Sequence, residues 1–296
     1  MFAESRKLDI FSRIVGKIRK EQPTLYTFLC PICRAPLTRE GNSLVCSASH
    51  TFDISKYGYV NLLTGSSASV HGDNREMCRA RRDFLNAGYY APLLDCLRSL
   101  AGEYCKSGSV LLDAGCGEGY YTSGIRAALA EAGKDCTFVG IDVSKEAATL
   151  AAKRDKALSL AVASVYALPI ADASVDAVFS LFSPFAREEF LRVLKPGGLL
   201  FKAFPGRRHL FSLKEAIYDT PYENEVQLLE VDGFELLHHS TVDADISLPD
   251  NASVKALFGM TPYRYKTSSE GLRRLDAIAS IDTHIEFECA VYKVRG

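Results

Sequence analysis

No stretch of the 296-residue chain approaches the roughly 18 consecutive apolar residues that a membrane-spanning helix needs. A transmembrane helix is therefore excluded, and no membrane partner is expected. The N-terminus lacks the apolar segment and small-residue cleavage site of a secretory signal, which points to a cytoplasmic protein. An excess of one charge is also missing: 35 Lys and Arg against 36 Asp and Glu leave a net charge of -1. A nucleic-acid partner would have to be held by local basic patches, because no global positive field exists. A disulfide framework is absent too. Nine cysteines are an odd number, and Cys78, Cys96, Cys105, Cys116, Cys136 and Cys289 stand singly, as reduced thiols do in a reducing compartment. No internal repeat is visible.

What remains is ordinary globular material, 47% hydrophobic and 24% charged, long enough for one large α/β domain and something small beside it. Residues 8–22 place Leu8, Phe11, Val15 and Ile18 on one helical face, ended by Pro23. Residues 65–74 (GSSASVHGDN) read as a linker or loop. An amphipathic helix is expected over 75–86, with Arg75, Arg79 and Arg82 on one face and Arg81 beside them, a stripe suited to phosphate. From Val110 onward strand and helix patterns alternate: strands over 110–114, 137–142, 159–163, 177–181 and 199–203, helices over 121–132, 145–156 and 187–194. Unalternating apolar strands separated by helices predict a parallel sheet covered on both faces. The C-terminal third is less periodic, with a last strand expected over 285–291.

Three of the cysteines are clustered. Cys30-Pro-Ile-Cys33 is followed by Cys46 and then His50, a C-x2-C-x12-C-x3-H spacing. Two thiolates three positions apart grip one face of a metal, and the second pair closes a tetrahedron. Sulfur and imidazole filling all four positions suit structural Zn2+, with no position left for chemistry. A redox dithiol would open a helix in a thioredoxin-like setting, whereas Pro36, Thr38 and Gly41 here indicate a hairpin. A module of about 40 residues buries too little surface to fold alone, so the metal would supply the missing stability.

Leu111-Leu-Asp-Ala-Gly-Cys-Gly-Glu-Gly119 leaves an apolar strand and enters a helix. Gly115, Gly117 and Gly119 allow a tight turn and close approach of a ligand, with Glu118 between the last two. Nicotinamide, flavin and adenosylmethionine proteins all use such loops. Here the spacing is G-x-G-x-G, Asp113 stands just before it to meet an ammonium group, and Asp142 ends the next strand to accept from ribose hydroxyls. With the turn Arg192-Val-Leu-Lys-Pro-Gly-Gly198, these features resemble the class I methyltransferases, whose cofactor is S-adenosyl-L-methionine. The fold expected is α/β: a class I, Rossmann-like, doubly wound methyltransferase sheet with a small N-terminal zinc-binding β module. Such enzymes contact adenine at the position of Ala163-Ser164, where many carry an Asp that this chain lacks.

The zinc module and the methyltransferase are more informative together. Cys30-Pro-Ile-Cys33, His50-x-Phe-Asp53, Gly58-Tyr-Val-Asn-Leu-Leu63, Ala80-Arg-Arg-x-Phe-Leu85, Gly88-Tyr-Tyr90, Gly115-Cys-Gly-Glu-Gly-Tyr-Tyr-Thr122, Pro205-Gly-Arg-Arg-His-Leu210 and Met260-Thr-Pro262 stand in this order. The chain from about Thr27 onward is similar to the bacterial 23S rRNA guanine-N1 methyltransferases of the RlmA and RrmA type. That resemblance implies methylation of N1 of a guanine in a 23S rRNA hairpin loop, zinc on Cys30, Cys33, Cys46 and His50, and adenosylmethionine contacts at Tyr90, the Gly117-to-Gly119 loop, Asp142 and His209. It also brings dimerisation, since members of the family pair into homodimers. The expected organisation is a helical extension over 1–26, a zinc-binding module for rRNA recognition over 27–64, a linker and basic helical bridge over 65–106, and the methyltransferase domain over 107–296.

No catalytic base is assigned. Asp172 and Asp176 are near the fourth strand but sit in the usual surface turn before it. Phe182-Ser-Pro-Phe185 replaces the Ala-Pro-Cys type sequence of the family, and Phe185 is the aromatic expected to stack on an extruded base. A methyltransferase for a small molecule, of quinone or lipid-precursor type, is the competing reading; a non-catalytic RNA-binding protein is a third, which the intact Asp113, Gly115, Gly117 and Asp142 argue against.

Overall fold

The computed structural model describes residues 28–64, 74–225 and 229–295. The helix expected over 8–22 and nearly all of the Ser/Gly-rich stretch from 65 lie outside these residues. The described chain begins with three short strands, β1 (Leu37–Glu40), β2 (Ser43–Cys46) and β3 (Thr51–Asp53), in an antiparallel meander. Gly41, at φ +60°, makes the two-residue turn that sets Leu37 opposite Cys46. Alternation then buries Leu44 and Cys46 on one face, and Leu37 joins them there.

Next come β4 (Tyr59–Asn61), α1 (Arg75–Asn86) and α2 (Ala91–Tyr104), then β5 (Val110–Ala114), α3 (Tyr120–Glu131), β6 (Thr137–Asp142), α4 (Lys145–Arg154), β7 (Ser159–Val162), β8 (Val175–Leu181), α5 (Arg187–Val193) and β9 (Leu194–Pro205). The chain closes with α6 (Phe211–Ile217), β10 (Phe234–Leu248), α7 (Asn251–Gly259), a 3-10 turn (Pro262–Tyr265), α8 (Ser269–Ala277) and β11 (Ile281–Val294). One eight-stranded sheet runs in the order β10-β11-β9-β8-β5-β6-β7-β4. Its strands are parallel from β9 to β4, and β11 and β10 are antiparallel to β9 and to each other. The parallel strands β5, β7 and β8 are buried almost throughout, as the sequence pattern requires of a sheet covered on both faces.

The two faces have separate cores. Leu111, Phe138, Phe179 and Phe201 point to the face covered by α2 and α3 through Leu93, Leu97, Ile125 and Leu129. Leu112, Val139, Val178 and Leu200 point to the other, where α5 packs with Phe190 and Val193. Phe28, Leu37, Leu44 and Ile54 of the meander belong to this second core. The meander is therefore built into the large sheet's packing, and β4, inside the 27–64 stretch, extends that sheet by pairing with β7 at Tyr59 opposite Leu160.

Within the 65–106 stretch, expected as linker and basic helical bridge, the leucines of α2 are core residues. The last strand is 14 residues rather than seven, because its partner β10 is a 15-residue strand that the pattern did not announce. His238 to Asp245 alternate between exposed and half-buried positions, so one side of this hairpin faces solvent and carries few apolar markers.

Candidate active site and metal centre

The chain runs from Leu29, which bridges to Pro36, into a knuckle: the Arg34 N–H donates to the Cys30 carbonyl and the Cys30 N–H to the Ala35 carbonyl. Arg34 and Ser49, each just past one ligand pair or inside the other, take left-handed φ values of 61° and 64° to complete the two turns. Together the turns bring Cys30, Cys33, Cys46 and His50 so close that one donor atom from each lies within 4.8 Å of all the others. His50 Nδ1 is 3.5 Å from Cys30 Sγ and 3.4 Å from Cys46 Sγ, and Cys33 Sγ is 3.6 Å from Cys46 Sγ. Zinc–sulfur bonds of about 2.3 Å and zinc–nitrogen bonds of about 2.0 Å set tetrahedral donor atoms roughly 3.5–3.8 Å apart. The donor set and its spacing fit Zn2+ with no open position.

The metal-binding turn also grips the sheet. Arg34 donates to the carbonyls of Leu168 (3.0 Å) and Ile170 (3.4 Å), and Arg192 of α5 reaches the same two at 3.1 and 2.8 Å. The connection from β7 to β8 is thus clasped between the zinc module and α5.

Strand order reverses beside β5, which is flanked by β6 and β8, so the carboxyl ends of β5, β6 and β8 open a crevice at the switch point. The glycine turn lies there. Gly115 has φ +94°, and a Cβ on it would lie 2.4 Å from the Ser183 Cβ; no other residue type fits. The N–H groups of Gly115 and Cys116 both donate to the Ile141 carbonyl. Asp142 locks the turn in place: its Oδ2 accepts from the Gly117 N–H at 2.9 Å and its Oδ1 from the Ser144 N–H at 2.8 Å. Glu118 is turned the other way, its Oε2 held by Arg154 at 2.6 Å, so its part in the loop falls to its backbone.

Asp113 is buried at the end of β5 and its Oδ2 accepts from the Thr122 hydroxyl at 2.5 Å, while Oδ1 meets no partner. Burial, reinforced by the nearby charge of Asp142 and opposed by the Thr122 hydrogen bond, raises its pKa from 3.8 to about 7. Of the five buried side-chain polar atoms without a partner among the described residues, Asp113 Oδ1, Tyr121 Oη and Ser123 Oγ belong to this strand end and the first turn of α3. A buried acceptor left unmatched is costly unless a ligand donates to it. The cationic amino-acid end of adenosylmethionine supplies such a donor, so the residues fit that cofactor.

Tyr90 and His209, 119 residues apart in sequence, meet in the core beside this crevice: Tyr90 Oη is 3.2 Å from His209 Nε2. His209 Nδ1 accepts from the Glu286 N–H at 3.2 Å. That bond leaves the ring proton on Nε2, so His209 donates to Tyr90 and the tyrosine keeps its own proton to give elsewhere. Burial, with the Lys214 charge adding to it, lowers the His209 pKa to about 3, so the ring is neutral. Asp172 and Asp176 do not share the crevice: Asp172 pairs with Arg192 at 2.6 Å, and Asp176, at the amino end of β8, holds Lys195 and the Val110 N–H. The arginine stripe of α1 is partly matched, Arg75 and Arg79 lying 3.5 and 3.7 Å from Glu146 and Arg82 2.7 Å from Asp83. Thr122 and Ser183 stand within motifs that the sequence reading singled out, but their contacts to Asp113 and Gly115 were not part of it.

A doubly wound sheet with this acid–glycine turn and an aspartate closing the neighbouring strand is that of a class I S-adenosylmethionine-dependent methyltransferase, here carrying a zinc ribbon. Residues 28–65 match the family model described as RlmA, N-terminal, and residues 112–201 that described as a methyltransferase domain. A Bacillus subtilis (strain 168) protein named "Putative 23S rRNA (guanine-N(1)-)-methyltransferase YxjB" is 32% identical over 280 residues, covering 89% of this chain and 96% of its own. The "23S rRNA (guanine(748)-N(1))-methyltransferase" of Streptomyces fradiae is 35% identical over 191 residues, 64% of this chain and 66% of that one. Among solved structures, the YcgJ protein from Bacillus subtilis aligns with a TM-score of 0.45 at 16% identity, over 69% of this chain and 98% of its own. The chain belongs to the RlmA-like family of rRNA (guanine-N1-)-methyltransferases.

Proposed function

We propose that this protein transfers the methyl group of adenosylmethionine to N1 of a guanine in a hairpin loop of 23S rRNA. The observation that carries the reading is the union, in one packed unit, of a closed Cys3His cluster with a crevice whose buried Asp113 lacks a partner for one oxygen. A methyltransferase for a small quinone-type substrate has no use for the first, and the relatives' names do not favour it.

Bound in the crevice, the cofactor supplies an activated methyl carbon on a sulfonium. The chain's part is positioning and electrostatics. Asp113 would meet the ammonium group, the Gly117–Glu118–Gly119 backbone would lie against the amino-acid end, and Asp142, at the end of β6, would accept from the ribose hydroxyls. Tyr90, oriented by His209, would donate a hydrogen bond from its hydroxyl to the cofactor. Guanine N1 is hidden by pairing in a duplex, so the acceptor must come from a loop or be extruded. The zinc ribbon holds the β7–β8 connection and presents a rigid surface for the shape of an RNA hairpin. No helix among the described residues is long and apolar enough to cross a membrane. A cytoplasmic homodimer completes the reading.

Tritiated adenosylmethionine, offered with total RNA, protein and small-molecule extracts, tests it. Label should enter large-subunit rRNA and map to N1 of one hairpin guanine. Label in the small-molecule fraction alone would sink the proposal.

A further inference from the structure

Phe182, the residue that ends β8's run toward the crevice, has φ +57°. This left-handed conformation is unfavourable for a bulky aromatic and natural for Gly or Asn. The neighbouring structure holds it there: its N–H donates to the Ala203 carbonyl of β9 at 3.1 Å, and Ser183 beyond it fills the space against Gly115. Strain that the surroundings impose at a crevice is a pointer to function.

The residue is 44% exposed, although its ring belongs to an aromatic cluster. Its centroid is 5.5 Å from that of Phe287 and 6.3 Å from that of Tyr121. Phe287 in turn lies 4.8 Å from Tyr90 and 4.5 Å from His209. Phe182 is therefore the outer, solvent-facing member of a group whose inner members are the Tyr90–His209 pair, and it stands one residue from the side chain that abuts the glycine turn. Phe185, the aromatic expected from the sequence to stack on a base, is otherwise engaged. The Lys202 ammonium sits 4.7 Å from its ring centroid, and Phe190 packs against it at 5.6 Å in the second core.

We infer that Phe182 is the stacking platform for the acceptor purine, its open face receiving the extruded guanine so that N1 is presented to the cofactor crevice. The inference rests on the rRNA-guanine reading above and names the side chain that would decide base placement. An aromatic face is used because every base has a π surface, and its loss typically weakens binding about ten- to a hundredfold.

The test uses the full chain with Phe182→Leu and Phe182→Tyr, transcribed 23S rRNA and tritiated adenosylmethionine. Leu keeps apolar bulk and the same backbone strain but removes the π face, so melting temperature and cofactor affinity should match the parent. Its kcat/KM for rRNA should fall about ten- to a hundredfold, and the Tyr variant should restore most of it. A Leu variant as active as the parent, or one whose loss is mirrored in cofactor affinity or melting temperature, overturns the assignment of Phe182 alone. Failure of the parent enzyme to label rRNA overturns the reading beneath it.

Discussion

Asp113 offers the sharpest test of the cofactor site. Its carboxyl is 4% exposed, and burial lifts its pKa from 3.8 to about 7. Below pH 3.8 both folded and unfolded chains hold the proton. Between about pH 4 and 7 the folded chain keeps a proton that the unfolded chain has released, so the stability of the cofactor-free protein falls as pH rises and levels off above 7. At about 1.4 kcal/mol per tenfold difference in proton affinity, the charge costs the empty fold on the order of 4 kcal/mol at pH 8. Asp113→Asn, which mimics the neutral acid, should raise the melting temperature at pH 8 and leave it unchanged near pH 4. Cofactor binding works in the opposite direction. An ammonium beside Oδ1 favours the carboxylate, so binding expels a proton below pH 7, and the parent Kd should improve by up to tenfold per pH step from 5 to 7. The Asn variant should bind weakly, with no such slope. Calorimetric titration across pH, with thermal melts of both proteins, reads these effects. A parent Kd independent of pH between 5 and 7, or an Asn variant no more stable at pH 8, would refute the argument.

Four further outcomes are expected. The purified protein should carry one zinc per chain by elemental analysis, and Cys33→Ser or a chelator should loosen residues 28–54 in hydrogen exchange. Such loss should abolish rRNA methylation while cofactor affinity changes little, because a structural zinc site contributes about 10–16 kcal/mol to the folding of its own module. In denaturant melts Gly115→Ala should cost roughly 3 kcal/mol or more, since a methyl group would strike Ser183. Gly117→Ala, at φ +55° with nothing within 4 Å, should cost only about 1–2 kcal/mol; the reverse order would disprove the packing account. Tyr90→Phe should weaken cofactor binding about five- to tenfold by removing one hydrogen bond. With His209 at about 3, the kcat/KM profile between pH 5.5 and 8 should show no limb that His209→Gln removes.

The parts legible in the sequence are those whose partners are near in the chain. The C-x2-C-x12-C-x3-H spacing closes its cluster through two local turns, and the strand–glycine–helix segment from Val110 to Glu131 carries its periodicity and its left-handed positions within some twenty residues. The buried strands β5, β7 and β8 announce themselves because both faces must be apolar. The hairpin of β10 and β11 does not, since solvent on one side leaves polar residues in every second place and dilutes the signal.

Tertiary structure alone decided what the distant segments do together. It seated the zinc meander in the second core and spliced β4 onto the sheet, because small modules gain stability by sharing a hydrophobic surface. It joined Tyr90 to His209 and fixed that histidine's tautomer through a backbone N–H of β11. It also chose between two phenylalanines three positions apart, engaging a half-buried Phe185 with Lys202 and Phe190 and leaving Phe182 strained and open at the crevice. Local pattern specifies which residues can bear a metal or turn around a ligand. Which side chain is left facing that ligand depends on what the rest of the chain covers.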